Sequence, residues 1–375
     1  RYGEVDPQAK LLLRVTIEPR GDDSPWLRQH PDECEVMEAR AKGIYRTPSY
    51  ASRAWLDDGC AFLRAFIRYL YDHDLDQYIL GYLICGGDSS EWVKVGPMED
   101  WASDYSPAMQ EAFRQWLRNK YGNDVRALRE AWADPAVDFD QDLVPSPEEQ
   151  GAADLFLFKD PHRRRRAIDH FQCLAHIVAH DIDTLCAAAK EACRGEHLAG
   201  AFYGYLQEIV WNNGFFGQRL PDADVEHTAA ARSGHAGLPE VLRSPHVDFL
   251  SSPYSYGYRW VGGEGGFMSP EASVRRAGKL WISEEDMRTH LWRPNSFYGQ
   301  TRNTRETVEV LKRQLANILT HGAGAWWCDW SYQEGGAYAE PEVMAVFRRF
   351  LELGRQHLAL PDRSSPRPRG TQGSS

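Results

Sequence analysis

Two short apolar runs in this chain end in acids. Residues 78–92 read YILGYLICGGDSSEW and close on Asp88 and Glu91, while residues 279–290 read KLWISEEDMRTH and carry Glu284, Glu285 and Asp286. A carboxylate delivered by the C-terminal end of a strand sits on a rigid support and faces an accessible loop. A pair of them can do acid/base and nucleophilic work on a glycosidic bond. The competing reading is that these are solvated loop acids, as most Asp and Glu are. Side chains alternate along a strand, so only one of Glu284 and Glu285 can face a given ligand. Asp88 follows Gly86-Gly87, a context that suits a turn as well as a site. Arg14 lies within an apolar run, where a buried charge needs a partner. Either Arg14 or Arg288 would favour the ionised form of a neighbouring carboxylate.

Six apolar, β-rich runs alternate with helical patterns. They cover residues 11–17, 78–85, 198–205, 247–251, 279–283 and 323–329. Helical periodicity marks residues 56–73, 107–121, 124–132, 167–193, 304–320 and 341–358. Alternation of this kind means a parallel sheet with crossover helices, and continuously apolar strands suit a sheet buried on both faces. A (β/α)8 TIM barrel needs eight strands and typically about 250 residues. The expectation is therefore an α/β barrel over residues 1–360 lacking its first two βα units, with an open six-stranded sheet as the rival. An insertion is expected at about residues 100–161, after the second run, and a disordered tail at 361–375, which is rich in Pro, Arg, Gly and Ser.

Composition removes several function classes. With 375 residues and a formal net charge of −11, the chain is not expected to bind nucleic acid, which requires a basic face. No apolar run approaches the roughly 20 residues of a membrane-spanning helix. The seven cysteines form no CxxC pair, so neither a zinc ribbon nor a disulfide framework is expected, but free and mostly buried thiols. Those thiols lean toward a cytoplasmic compartment. The chain begins at Arg1 rather than Met, and localisation stays open. The basic run His162–Arg166 reads as a solvated helix face. His176 and His180 lack the intervening Glu of a zinc-protease motif and read as structural. Thirteen Trp and seventeen Tyr supply flat faces for sugar rings, although most aromatics fill cores.

Residues 105–132 read YSPAMQEAFRQWLRNKYGNDVRALREAW. Phe113, Arg114, Trp116, Leu117, Lys120, Tyr121, Gly122, Leu128, Ala131 and Trp132 fit the pattern F-R-x-W-L-x-x-K-Y-G…L-x-x-A-W. The stretch resembles the segment after the acid/base strand in glycoside hydrolase family 42 β-galactosidases and their clan A relatives. Residues 325–330 (AWWCDW) resemble the WWxDxW strand 8 of such barrels, and Pro253–Tyr256 with Arg259 resembles a strand 6 loop. The chain also departs from the family. Ser90-Glu91 stands where family 42 has Asn-Glu, and the Cys-rich zinc site is missing, which marks a divergent relative.

The resemblance implies an acid/base on strand 4 and a nucleophile on strand 7. With two strands missing, these are the second and fifth runs, the two that end in acids. Glu91 then becomes the acid/base. The family-like pattern D-E-N-D-x-R-T aligns Glu284 with its nucleophile and leaves Glu285 at the Asn position. The implied activity is retaining hydrolysis of β-galactosides. Another β-glycoside (a β-mannoside or β-glucan) and a non-catalytic sugar-binding barrel or inactive fragment are the alternatives. The expected carbohydrate contacts are Arg14, Trp26, Asp88, Tyr254, Tyr256, Arg259, Arg288, Trp326, Asp329 and Trp330. Neither a cofactor nor a metal is expected, and the resemblance allows a homo-oligomer.

Overall fold

The computed structural model describes residues 6–19, 24–39, 43–87, 90–94, 104–152, 154, 159–208, 233–293, 298–329 and 336–360. In chain order the elements are β1 (Leu11–Thr16), α1 (Pro25–Gln29), β2 (Cys34–Ala39), β3 (Gly43–Pro48), α2 (Arg53–Asp72), β4 (Ile79–Cys85), α3 (Pro107–Lys120), α4 (Val125–Trp132), α5 (Pro147–Gly151), α6 (Arg165–Ala192), β5 (Leu198–Phe202), α7 (Leu238–Arg243), β6 (Phe249–Pro253), α8 (Glu271–Arg276), β7 (Leu280–Glu285), α9 (Thr304–His321), β8 (Gly324–Trp327) and α10 (Pro341–Leu358). The main sheet runs β1-β4-β5-β6-β7-β8, with β2–β3 a separate antiparallel hairpin. All six apolar runs form strands, and the six expected helices form within a few residues of their expected ends. The hairpin β2–β3 and the short helices α1, α5, α7 and α8 are additions.

The chain divides into two compact units, the first comprising Arg1–Gly257 with Phe267–Glu284, the second Tyr258–Gly266 with Glu285–Ser375. In the first unit, parallel registers pair Thr16 with Cys85, Ile84 with Ala201, Phe202 with Ser251 and Pro253 with Glu284. Four strand-to-strand steps separate β1 from β7, a distance of roughly 19 Å in a flat sheet at ~4.8 Å per step. Yet the guanidinium of Arg14 on β1 stands 3.5 Å from the carboxylate of Glu284 on β7. The sheet therefore curls, and its concave side brings strand ends together.

Helix α2 starts at Ser52, whose hydroxyl accepts the Trp55 N–H at 3.0 Å, satisfying one of the orphan donors of the first turn. Its buried face (Trp55, Leu56, Gly59, Cys60, Leu63, Ile67, Leu70) follows helical spacing. Gly59 is needed there, because a Cβ would lie 2.7 Å from Ile17 and 3.2 Å from Leu185 of α6.

The insertion after β4 is fastened to α6. Asp169, fully buried, accepts hydrogen bonds from Lys120 (2.8 Å), Tyr121 (2.5 Å) and Trp132 (2.9 Å), and pairs with Arg165 at 2.9 Å. The basic run joins the same arrangement. Arg163 and Arg164 pair with Asp154, and Arg166 donates to the Leu143 carbonyl at 3.0 Å. His176 hydrogen-bonds Glu240 at 2.8 Å. All seven cysteines are free thiols, six of them buried.

In the second unit Arg313 donates to the carbonyls of Arg259, Trp260 and Gly263, holding the loop at 258–266 against α9. The Cys328 N–H, just beyond β8, donates to the Glu285 carbonyl at 3.1 Å.

Candidate active site

Glu284 and Glu91 are both buried. Glu284 ends β7, where its carbonyl accepts the Tyr254 N–H at 3.2 Å and its carboxylate faces Arg14. Arg14 projects from β1, lies over the Phe202 ring at 4.8 Å and keeps 37 % of its side chain exposed. Burial works against its charge, but Cys85, Glu284, Glu91 and Tyr205 together outweigh burial and raise its pKa.

Glu91 sits in the loop that leaves β4. Its flanking residues Ser90 (φ 70°) and Trp92 (φ 59°) are both left-handed, as is Gly87 (φ 78°). For a non-glycine residue this conformation costs ~1–3 kcal/mol and persists only where surrounding contacts enforce it. Within the loop, Trp92 donates its backbone N–H to the Gly86 carbonyl at 2.7 Å and its indole N–H to Ile84 at 3.0 Å. From outside, the Glu18 carboxylate accepts the Gly87 N–H and pairs with Lys94 at 3.4 Å, bracketing the loop at both ends.

Tyr205, three residues beyond β5, donates its hydroxyl to Glu91 Oε1 at 3.0 Å. Burial, with the charges of Glu91 and Glu284 adding to it, holds this phenol far above its ordinary pKa, so it remains a donor. Burial pushes the Cys85 thiol up to about 12, against the pull of Arg14. Arg14, Tyr205 and Cys85 each feel both Glu91 and Glu284. The five residues thus form one electrostatic cluster at the strand ends of the first unit.

The neighbouring acids have other partners. Glu285 accepts a hydrogen bond from Gln314 of α9 at 3.0 Å. Asp286 pairs with Arg259 at 2.7 Å and with Arg288 at 3.1 Å. Of the two arginines expected beside Glu284, Arg14 pairs with it, and Arg288 pairs with Asp286 and lies over Trp292 at 5.3 Å.

The remaining expected residues have surroundings of their own. Trp26 stacks on His30 at 4.7 Å and donates its indole N–H to Asp58 of α2 at 2.8 Å. Tyr254 is buried, and Tyr256 and Trp326 are half-buried. Asp329 accepts the Ala337 N–H at 2.8 Å. Asp88 and Trp330 lie outside the described residues.

Tyr205 and His235 were not among the expected site residues. The former had a signal in the sequence, since it closes the apolar run 198–205 just as Glu91 and Glu284 follow theirs. His235, within a short 3-10 turn, had none. Among the described residues no group of His, Cys, Asp and Glu is arranged to hold a metal ion.

Comparison with known proteins adds to this geometry. The profile of the glycoside hydrolase 42 family, described as β-galactosidase, matches residues 97–154. That stretch contains Lys120, Tyr121 and Trp132, which bond Asp169. Over that stretch the chain is similar to this family. No curated protein matches the sequence. Among solved structures, the chain resembles the β-amylase catalytic domain of Paenibacillus polymyxa (TM-score 0.61, 12 % identity, 94 % of this chain and 84 % of that one). It also resembles an exo-β-agarase (0.57, 13 %, 95 % and 44 %) and the GH42 β-galactosidase Gan42B (0.53, 14 %, 95 % and 49 %). The chain spans about half the length of the latter two. These likenesses show the fold, a TIM barrel of which the six main-sheet strands are part.

Proposed function

We propose that this protein is a retaining β-glycoside hydrolase, acting first of all on β-galactosides. The observation that carries the reading is the pairing of Glu284 with Arg14 and of Glu91 with Tyr205 inside one cluster. In the first step the Glu284 carboxylate attacks the anomeric carbon. The bond to the leaving oxygen breaks as Glu91 gives that oxygen its proton, leaving a glycosyl-enzyme ester. In the second step Glu91 takes a proton from water, the water oxygen attacks the anomeric carbon, and Glu284 leaves as a carboxylate. Retention requires the two carboxyl groups to stand about 5–5.5 Å apart. The adjacent Arg14 charge favours the ionised form that a nucleophile needs. Glu285 and Asp286, committed to Gln314 and two arginines, are left as structural acids.

The test is a panel of aryl β-galactoside, β-mannoside and β-glucoside, with soluble starch included because of the β-amylase likeness. Turnover of a β-galactoside that falls by at least ~10³-fold in Glu284→Ala and Glu91→Ala, with a product of unchanged anomeric configuration by NMR, supports the reading. Wild-type turnover indifferent to both substitutions, or an inverted product, refutes it.

A further inference from the structure

His235 links the Glu91 loop to the end of β5. It is fully buried, and its Nδ1 lies 3.1 Å from both the Gly204 and the Tyr205 backbone nitrogens. Both of those groups donate, so Nδ1 carries no proton. The ring proton therefore sits on Nε2 and is donated to the Glu91 carbonyl at 3.1 Å. One neutral tautomer satisfies all three bonds. The ring is wedged between Tyr203 and Tyr205, with both centroid distances 4.8 Å. Its own turn is tied down by the Tyr203 hydroxyl, which donates to the Gly234 carbonyl at 2.5 Å.

We propose that His235 is a positioning residue for the acid/base Glu91. It fixes the backbone from which that carboxyl projects and, through the Tyr205 N–H, the strand end whose hydroxyl meets the same carboxyl. The inference rests on the acid/base reading of Glu91 and extends it to a residue that touches no reacting atom. Ser90 and Trp92 are held left-handed on either side of Glu91. Loss of the imidazole removes a restraint that opposes their relaxation. A carboxyl displaced by even about an ångström gives up a large part of its catalytic advantage.

Leaving-group dependence separates positioning from mere structural support. Proton donation matters for a poor leaving group such as phenol and hardly at all for dinitrophenol. At equal folded fraction, His235→Ala is expected to lose about 10–100-fold in kcat/KM, which reports the first step alone, on the phenyl glycoside and to stay within about 2-fold on the dinitrophenyl glycoside. His235→Gln keeps an acceptor oxygen and an N–H donor, and is expected to recover most of the loss. His235→Asn, too short to reach both sides, is not. Equal losses on both leaving groups in the Ala variant, or in the Asn variant should Ala fail to fold, overturn the proposal. Glu91→Ala is the control. A leaving-group split there without one at His235 sinks only the His235 inference. No split at Glu91, or no turnover of any glycoside by the wild type, takes down the acid/base reading and this inference with it.

Discussion

The Tyr205 hydroxyl donates to Glu91 Oε1 at 3.0 Å across 114 positions of sequence. A donor aimed at a carboxylate favours its ionised form, whereas an acid/base must also hold a proton when substrate arrives. For the proposed acid/base the bond therefore bears on proton affinity as well as on where the carboxyl points.

Tyr205→Phe removes that donor and leaves the ring. Glu91 then keeps its proton to higher pH, so the alkaline limb of the pH–kcat/KM profile moves upward. The rate at the optimum falls by roughly 5–30-fold, the equivalent of one hydrogen bond of about 1–2 kcal/mol. A profile superimposable on wild type would show that the hydroxyl plays no part.

Arg14→Met removes the guanidinium facing Glu284 and keeps much of the side-chain length. Without that charge the carboxylate form of Glu284 is less favoured. The acid limb of the profile is expected to move upward, and kcat/KM to fall by at least ~10-fold. Arg14→Lys keeps the charge and should lie between the two. The measurement is a pH–rate series on one aryl glycoside.

Two buried acids predict how stability depends on pH. Glu35, 3.6 Å from Lys94, is pushed up to about 8 by burial, with Asp104 and Glu18 adding and Lys94 opposing. Asp181 is pushed up to about 7 by burial, against the pull of His180. Each binds its proton more tightly folded than unfolded. Its stabilising contribution is complete below the ordinary carboxyl range near ~4 and is lost as pH rises through the folded value. Glu35→Gln should therefore raise Tm over wild type by at least ~2 °C at pH 9 and change little at pH 5. Asp181→Asn should do the same with a midpoint about one pH unit lower. Thermal unfolding followed by circular dichroism at both pH values reads this directly, and a gain equal at pH 5 and pH 9 would contradict it.

Asp169→Asn tests the clasp of the insertion. The Asp is fully buried, while Lys120 and Arg165 keep 22 % and 30 % of their side chains exposed, so the freed cations can turn to water. A cost of about 2–4 kcal/mol is expected. It should appear as a lower Tm and as faster proteolytic cleavage between residues 104 and 166. Unchanged cleavage there would mean that the hydrophobic contacts of Phe113 and Leu128 suffice.

Local periodicity made most of this molecule legible. The six main strands announce themselves as apolar runs, and α2 and α6 as helical faces long enough to cover them. Strand alternation says that only one of Glu284 and Glu285 faces a given ligand, and Arg14 is conspicuous as a charge among Leu and Val. The hairpin β2–β3 was not legible. Its CEVMEA and GIYRTP strands are short, polar and lack the apolar continuity of a buried parallel strand. The partners of Glu91 were hidden for another reason. Tyr205 and His235 lie 114 and 144 positions away, and only the folded sheet brings them to the loop.

The stretch by which the chain is most readily related to known enzymes is the one that fastens the insertion. Lys120, Tyr121 and Trp132, three of the residues that fit the family pattern, converge on Asp169, far along the sequence from either carboxylate. Kinship and competence are thus written in different places. A chain that had exchanged Glu91 or Glu284 would still match over residues 97–154, so the match speaks for architecture, and the proposed chemistry rests on the two acids.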